Sequence, residues 1–184
     1  MNSVTYVLYS GDVDYCILID CGEYEPLIPV LDKIGKKVKA VLLTHGHSDH
    51  IYGLNSLLET YPNAFVCTTE DGHREIQDVK LNLSYFHDIP FAVKDYKKMV
   101  LKDGQTVFFE GFEDIEVIAT PGHDTSCLTY KMGKNLFTGD AYIPGVKVFY
   151  KFPRGNREHA LSSYKMLSNM GDNGFRIFCG HHSY

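Results

Sequence analysis

The 184-residue chain reads as an α/β protein. Three observations predict that class. Short apolar runs of strand length alternate with stretches at helical spacing in the first half. The second half is a succession of strands divided by tight turns, and a histidine-rich string joins one strand directly to one helix. The length suits one domain over residues 1–184, large enough to bury roughly 70% of its unfolded surface without a disulfide.

Residues 5–9 and 15–20 are predicted strands separated by the turn Ser10-Gly11-Asp12, and 26–34 is a short helix closed by Gly35. A buried strand is expected over 38–44. The helix after it starts near Asp49, carries Ile51, Leu54, Leu57 and Leu58 on one face, and stops at Tyr61-Pro62. Residues 64–68 read as a strand, and Thr69 caps a helix reaching Asp78. An irregular, Tyr- and Phe-containing stretch then runs to about Tyr96. Strands follow at 106–109, 115–120, 128–131 and 135–138, divided by Asp-Gly, Pro-Gly or Met-Gly-Lys turns. Asn156 caps a last helix with Ala160, Leu161, Tyr164 and Leu167 on one face, and 175–179 is the final strand, ending at Gly180-His181.

Composition narrows the functional classes. Hydrophobic content is 44% and charged content 22%, and no apolar run approaches the roughly 18 to 20 residues of a membrane span, so no membrane integration is expected. A formal charge of −5 without a long basic run argues against nucleic acid as a partner. The five cysteines, Cys16, Cys21, Cys67, Cys127 and Cys179, are odd in number and sit in strand-like runs, which reads as reduced core thiols and a cytoplasmic setting. The amino terminus has no secretion-signal pattern.

The string His45-Gly-His47-Ser-Asp49-His50 crowds four metal-ligating side chains into six residues. Buried without a cation, these imidazoles and this carboxylate would be mutually unsatisfied, whereas zinc, manganese or iron turns each lone pair into a bond. Three further ligand candidates each follow a glycine at a strand end: His123 in Pro121-Gly-His, Asp140 in Thr138-Gly-Asp, and His181 in Cys179-Gly-His. Each glycine lets the backbone turn sharply.

In this order, Thr44-His-x-His-x-Asp-His50, Pro121-Gly-His123, Gly139-Asp140 and Gly180-His181, the motifs resemble those of the metallo-β-lactamase-fold metallohydrolases, across residues 5–181. The resemblance implies a four-layer αββα sandwich with a metal site at one edge. It implies that His45, His47 and His123 hold a first metal, that Asp49, His50 and His181 hold a second, and that Asp140 bridges them. Two zinc ions per chain are then expected, with iron or manganese as alternatives, and a metal-bridging hydroxide is the nucleophile, oriented by Asp49.

Departures from the family pattern shape the expected activity. The first residues look like the second or third strand of that fold, so a preceding edge strand is expected to be missing. Three residues follow His181, whereas hydroxyacylglutathione hydrolases, the glyoxalase-II kind, carry a further glutathione-binding region. The bridging Asp140 argues against antibiotic hydrolysis, and no nucleic-acid insert is visible. The leading expectation is a binuclear hydrolase of a small ester, thioester or lactone. A mononuclear iron dioxygenase of the persulfide dioxygenase kind, a phosphodiesterase and a noncatalytic metal-binding module are the alternatives. Substrate contacts are expected from the 141–155 loop, through Tyr142, Lys147, Tyr150, Lys151 and Arg154. His73, His87 and His159 read as surface or packing residues, and His182 as the neighbour that a shift of register would exchange with His181.

Overall fold

The computed structural model describes residues 3–182. The elements in chain order are β1 (Tyr6–Tyr9), β2 (Tyr15–Ile19), α1 (Ile28–Ile34), β3 (Lys37–Leu42), α2 (Ser48–Ile51), α3 (Leu54–Thr60), β4 (Phe65–Thr68) and α4 (Glu70–Ile76). A 3-10 turn, Ser84–Phe86, precedes β5 (Lys97–Val100), β6 (Thr106–Val107), β7 (Ile115–Ala119), β8 (Leu128–Met132), β9 (Asn135–Gly139), α5 (Arg157–Asp172) and β10 (Arg176–Cys179).

Strand alternation builds the layers. On β2, Ile17 and Ile19 face one way and Cys16 and Leu18 the other, as the period of two requires. The first set joins Ala40 and Leu42 of β3 and meets Ile115, Val117, Leu128, Tyr130 and Phe137 from the second half, forming the core between two sheets. The second set joins Val41 and Leu43 and packs under Leu31, Ile51, Leu54, Leu57 and Ile76 of the four short helices. Leu167 of α5, with Tyr164 and Met170, covers Ile177 on the outer side of the second sheet. The order helix, sheet, sheet, helix is therefore the αββα sandwich.

The first sheet runs β1-β2-β3-β4-β5 and the second β10-β9-β8-β7-β6. Only β1 is antiparallel in the first sheet, and only the β9–β10 pair is parallel in the second. A bulge between Cys16 and Ile17 shifts the β2–β3 register so that Val38 and Ala40 lie opposite consecutive residues. Among the described residues β1 is an edge of the first sheet.

The expected caps form as read. Gly35 ends α1 at φ 63°, Thr69 Oγ1 accepts from the Gly72 N–H at 2.9 Å, and Asn156 Oδ1 accepts from the His159 N–H at 3.0 Å. Three expectations need correction. The helix after the histidine string is two, α2 and α3, because the chain breaks at Tyr52-Gly53. A Cβ on Gly53 would stand 2.5 Å from the Tyr24 backbone nitrogen, and its N–H instead donates to Gly22 O at 2.7 Å. The irregular stretch leads into a third parallel pairing of the first sheet, β5 on β4, where no strand was expected. On α5 the buried positions are Ala160, Ser163 and Leu167, while Leu161 is 46% exposed.

Cys16, Cys21, Cys67 and Cys127 are buried free thiols and Cys179 is half-buried, in keeping with core packing. No helix among the described residues is long and apolar enough to cross a membrane.

Candidate metal centre

The site stands where strand ends of both sheets meet. Two bonds fix that junction: the Tyr130 hydroxyl donates to Leu43 O at 2.6 Å, and the Leu128 N–H donates to Thr44 O at 2.7 Å. Tyr130 is fully buried, so its ring fills the inter-sheet core while its hydroxyl satisfies a carbonyl at the end of β3. The chain leaves that end straight into His45, and His47 holds the extended N-cap position of α2.

Three imidazoles converge there. His45, His47 and His123 present ligating atoms within 4.8 Å of one another, with all three side chains buried. Nδ1 of His47 lies 3.1 Å from Nε2 of His123. The His123 Nδ1 sits 2.7 Å from Phe149 O, which makes Nδ1 the protonated nitrogen and turns the Nε2 lone pair to the centre. A second cluster, Asp49, His50 and His181, meets the same 4.8 Å limit, and Asp140 joins His45 and His50 in a third. Asp140 Oδ2 is 3.7 Å from His123 Nε2 and 3.3 Å from His181 Nε2, while Oδ1 is 3.4 Å from His50 Nε2. Its carboxylate therefore stands between the two histidine groups.

Fit to a cation is written in the unsatisfied atoms. His45 Nε2, His50 Nε2 and Asp140 Oδ1 are buried without a hydrogen-bond partner. Leaving such groups unpaired costs about 1 to 3 kcal/mol each, and divalent cations held where they converge would satisfy all of them. The electrostatics agree. Burial and the neighbouring His50 and His47 rings hold His45 well below the ordinary histidine range, and burial with His123 takes His47 down to about 3. These rings are neutral, with lone pairs to offer. Burial also opposes charge on His50, but Asp20 and Asp140 outweigh it and hold the ring protonated well above its ordinary value. Hydrogen bonds to Asp140 and Asp49 push His181 up to about 9. The carboxylates of this half thus call for positive charge.

One carboxylate outside the motif is decisive for His50. Asp20, in the left-handed region at φ 59° just after β2, accepts from the Thr44 N–H at 2.7 Å and the Thr44 hydroxyl at 2.8 Å, and lies 2.8 Å from His50 Nδ1. It fixes His50 with Nε2 toward the centre. Sequence reasoning missed it, because a single Asp after a strand carries no spacing signal.

The metallo-beta-lactamase superfamily profile matches residues 1–181. The chain belongs to the metallo-beta-lactamase superfamily. Solved structures share its fold at low identity. The B3 metallo-beta-lactamase BLEG-1 is 24% identical with a TM-score of 0.86, over 98% of this chain and 87% of that one. TTHA1623 in a di-iron-bound form is 23% identical with a TM-score of 0.81, over 98% and 88%. ETHE1 from Myxococcus xanthus is 21% identical with a TM-score of 0.74, over 99% and 72%.

For this superfamily member the loop after Asp140 supplies one wall of a groove beside the site. His123, Asp140, Ile143, Val146, Lys147, Val148 and Phe149 line about 300 Å³ of space, part of it open to solvent. Of the five expected substrate contacts, only Lys147 stands on that wall. Tyr142 is turned into the core against Tyr164, ring centroids 4.9 Å apart. Tyr150 and Lys151 are not among the lining residues. Arg154 reaches a second hollow, but its guanidinium is engaged: Nε donates to Asp124 Oδ2 at 2.9 Å, and Nη2 to Asp124 Oδ1 at 3.1 Å and Asp71 Oδ2 at 3.0 Å. Arg154→Met should therefore destabilise the protein by up to about 3 kcal/mol, because the buried Asp124 loses its counter-charge. Denaturant unfolding measures this, and an unchanged midpoint would return Arg154 to the pool of substrate contacts.

His73 is buried and packs flat on Tyr96 at 5.7 Å, with Nε2 3.1 Å from Met99 O, so it is a packing residue and not a surface one. His159 and His87 are exposed, His87 lying 3.0 Å from the Ser48 hydroxyl. His182 is exposed, whereas His181 lies 3.2 Å from Asp49 Oδ2.

Proposed function

We propose that the protein is a binuclear metal-dependent hydrolase of a small ester, thioester or lactone. The carrying observation is the convergence of the unpartnered His45, His50 and Asp140 atoms with His47, His123, Asp49 and His181 at the mouth of an open groove. Membership of a superfamily composed mostly of metal-dependent hydrolases supports the same reading.

His45, His47 and His123 would hold one divalent cation, Asp49, His50 and His181 the other, with Asp140 between them. When bound, the pair would supply a water activated for attack near neutral pH and a Lewis acid for the carbonyl oxygen. The chain's own residues do the rest. The Asp49 side chain is 34% exposed, the most open carboxylate of the cluster, and its hydrogen bond to His181 holds it ionised below the ordinary carboxylate range against the effect of burial. It is placed to accept the proton of the attacking water. Ile143, Val146, Val148 and Phe149 give the groove an apolar wall for the acyl part of a substrate, and Lys147 offers a cation to an anionic end. Zinc is the proposed metal, with iron the alternative that the di-iron form of TTHA1623 supports.

Elemental analysis of freshly purified protein, followed by an ester, thioester and lactone panel, tests the reading. Two zinc per chain with turnover is the expected result. Iron near one per chain with oxygen consumption would replace it by dioxygenase chemistry. Within the hydrolase reading, Asp49→Ala should lower turnover about 10²- to 10⁴-fold in a folded protein. Near-normal turnover would remove Asp49 from its proposed role.

A further inference from the structure

Only one of the two ring nitrogens of His47 faces the candidate centre. Its Nδ1 stands opposite His123 Nε2 at 3.1 Å, so a cation shared by both rings takes the Nδ1 lone pair and the imidazole proton belongs on Nε2. That N–H points away from the centre into a buried chamber between two carboxylates. Glu75 Oε1 lies 3.8 Å from it and Asp124 Oδ2 3.9 Å, and all three side chains are buried.

The two carboxylates are not equivalent. Asp124 is spoken for: Oδ2 accepts from Arg154 Nε, and Oδ1 from Arg154 Nη2 and, at 2.7 Å, from the Ser126 N–H. Glu75 is half satisfied. Its Oε2 accepts from the Gly46 N–H at 3.1 Å and the Ser126 hydroxyl at 2.5 Å, but Oε1 is buried with no partner. The fit to the motif is close, because a Cβ on Gly46 would stand 2.7 Å from Glu75 Cγ and Cδ. One side chain thus grips the backbone between His45 and His47 and aims its spare oxygen at the ring of His47.

We infer that Glu75 is a positioning residue for His47, fixing its tautomer and ring orientation so that Nδ1 is presented to the first metal. The inference rests on the metal-centre reading above. Metal-ligating histidines generally give their other N–H to a carboxylate or carbonyl, which orients the ring and raises its basicity. The present 3.8 Å exceeds a hydrogen bond, and an approach of ring and carboxyl group by about 1 Å would bring them within hydrogen-bond reach. A third cation in the chamber is the competing account of the same geometry. It is disfavoured because the Arg154 guanidinium already neutralises Asp124.

Glu75→Gln is the discriminating variant. Three donors, from Gly46, Ser126 and His47, converge on the carboxyl group, and a glutamine can keep its oxygen on Gly46 and Ser126 only by turning its NH₂ against the His47 N–H. Stepwise zinc affinity is measured against a competing chelator, and the Co²⁺-substituted proteins are compared by absorption. The expected result is about a 10- to 100-fold loss of affinity at one site, the other unchanged, an altered Co²⁺ spectrum, and no fall in the unfolding midpoint of the metal-free protein. Ser126→Ala removes one of the donors that orient Glu75 and should act in the same direction more weakly, so it decides the matter where Glu75→Gln does not fold. Unchanged affinities overturn the inference while leaving the metal centre standing. A third zinc in the wild type that Glu75→Gln loses makes the chamber a cation site and also overturns it. A wild type that takes up no metal overturns both readings.

Discussion

Asp140→Ala is expected to abolish turnover and to weaken both metals together, each by more than about 100-fold, the upper range for losing a group that merely orients a ligand. The reason is its position. One oxygen lies 3.4 Å from His50, and the other lies 3.7 Å from His123 and 3.3 Å from His181, and among the described residues no other carboxylate comes within 4.0 Å of both histidine groups. Burial opposes ionisation of Asp140, but the charge of the neighbouring His50 ring and the contact from His181 hold it ionised well below the ordinary carboxylate range. Removing it also removes the main charge that keeps His181 protonated in the absence of metal and part of that acting on His50, where Asp20 remains. Elemental analysis and chelator competition on the variant measure the effect. Retention of two tightly held metals would show that the histidines suffice and that Asp140 does not bridge.

Gly122→Ala is expected to be the most damaging single methyl in the protein. Gly122 sits at φ +131°, where an L side chain is strained, and its Cβ would lie 2.1 Å from the Ala160 nitrogen and 2.3 Å from the Ala160 Cα. Neither backbone atom can yield cheaply, since both belong to the first turn of α5, and the Asn156 N–H that starts that helix donates to Gly122 O at 2.8 Å. Strain and overpacking together should cost about 2 to 6 kcal/mol. Because His123 is the next residue, the damage reaches the site: metal uptake should fall in whatever fraction still folds. Thermal unfolding and zinc content measured on the same preparation test this. A midpoint within a degree or two of the parent would mean that α5 shifts freely over the sheet.

Local features of the chain were legible, and features that depend on approach between distant segments were not. The histidine string could be read as a candidate site because its members are neighbours in sequence, and His123, Asp140 and His181 because each follows a glycine at or just past a strand end. Gly180 shows why that glycine is needed: a Cβ there would stand 2.2 Å from Asp140 Oδ1. Asp20, Glu75 and Asp124 were missed because each is an isolated acid, in a turn, on a seven-residue helix or in a loop, whose purpose exists only once the sheets close. β5 escaped notice because Lys97 and Lys98 are exposed on an edge strand and dilute the apolar pattern. Arg154 looked like a free cation in a loop until Asp71 and Asp124 came within 3.0 Å of it. The break at Gly53 belongs to the same class, since Tyr24 presses on it from outside the helix.

The two extremes of the described chain meet beside the centre: the Val4 N–H donates to Gly180 O at 2.7 Å, and the Tyr6 hydroxyl donates to Cys179 O at 2.7 Å. During synthesis the His45 to His50 string leaves the ribosome early and must wait for His123, then Asp140, and finally His181, each separated from it by a full strand or helix. Contacts of this sequence separation form late, after most loop-closure entropy has been lost. A nascent chain can therefore hold the histidine string without the partners that would make it selective, exposed to whichever cation arrives first. On the binuclear reading proposed above, metal loading becomes an event of the finished fold, and metal stoichiometry a quality mark of complete folding.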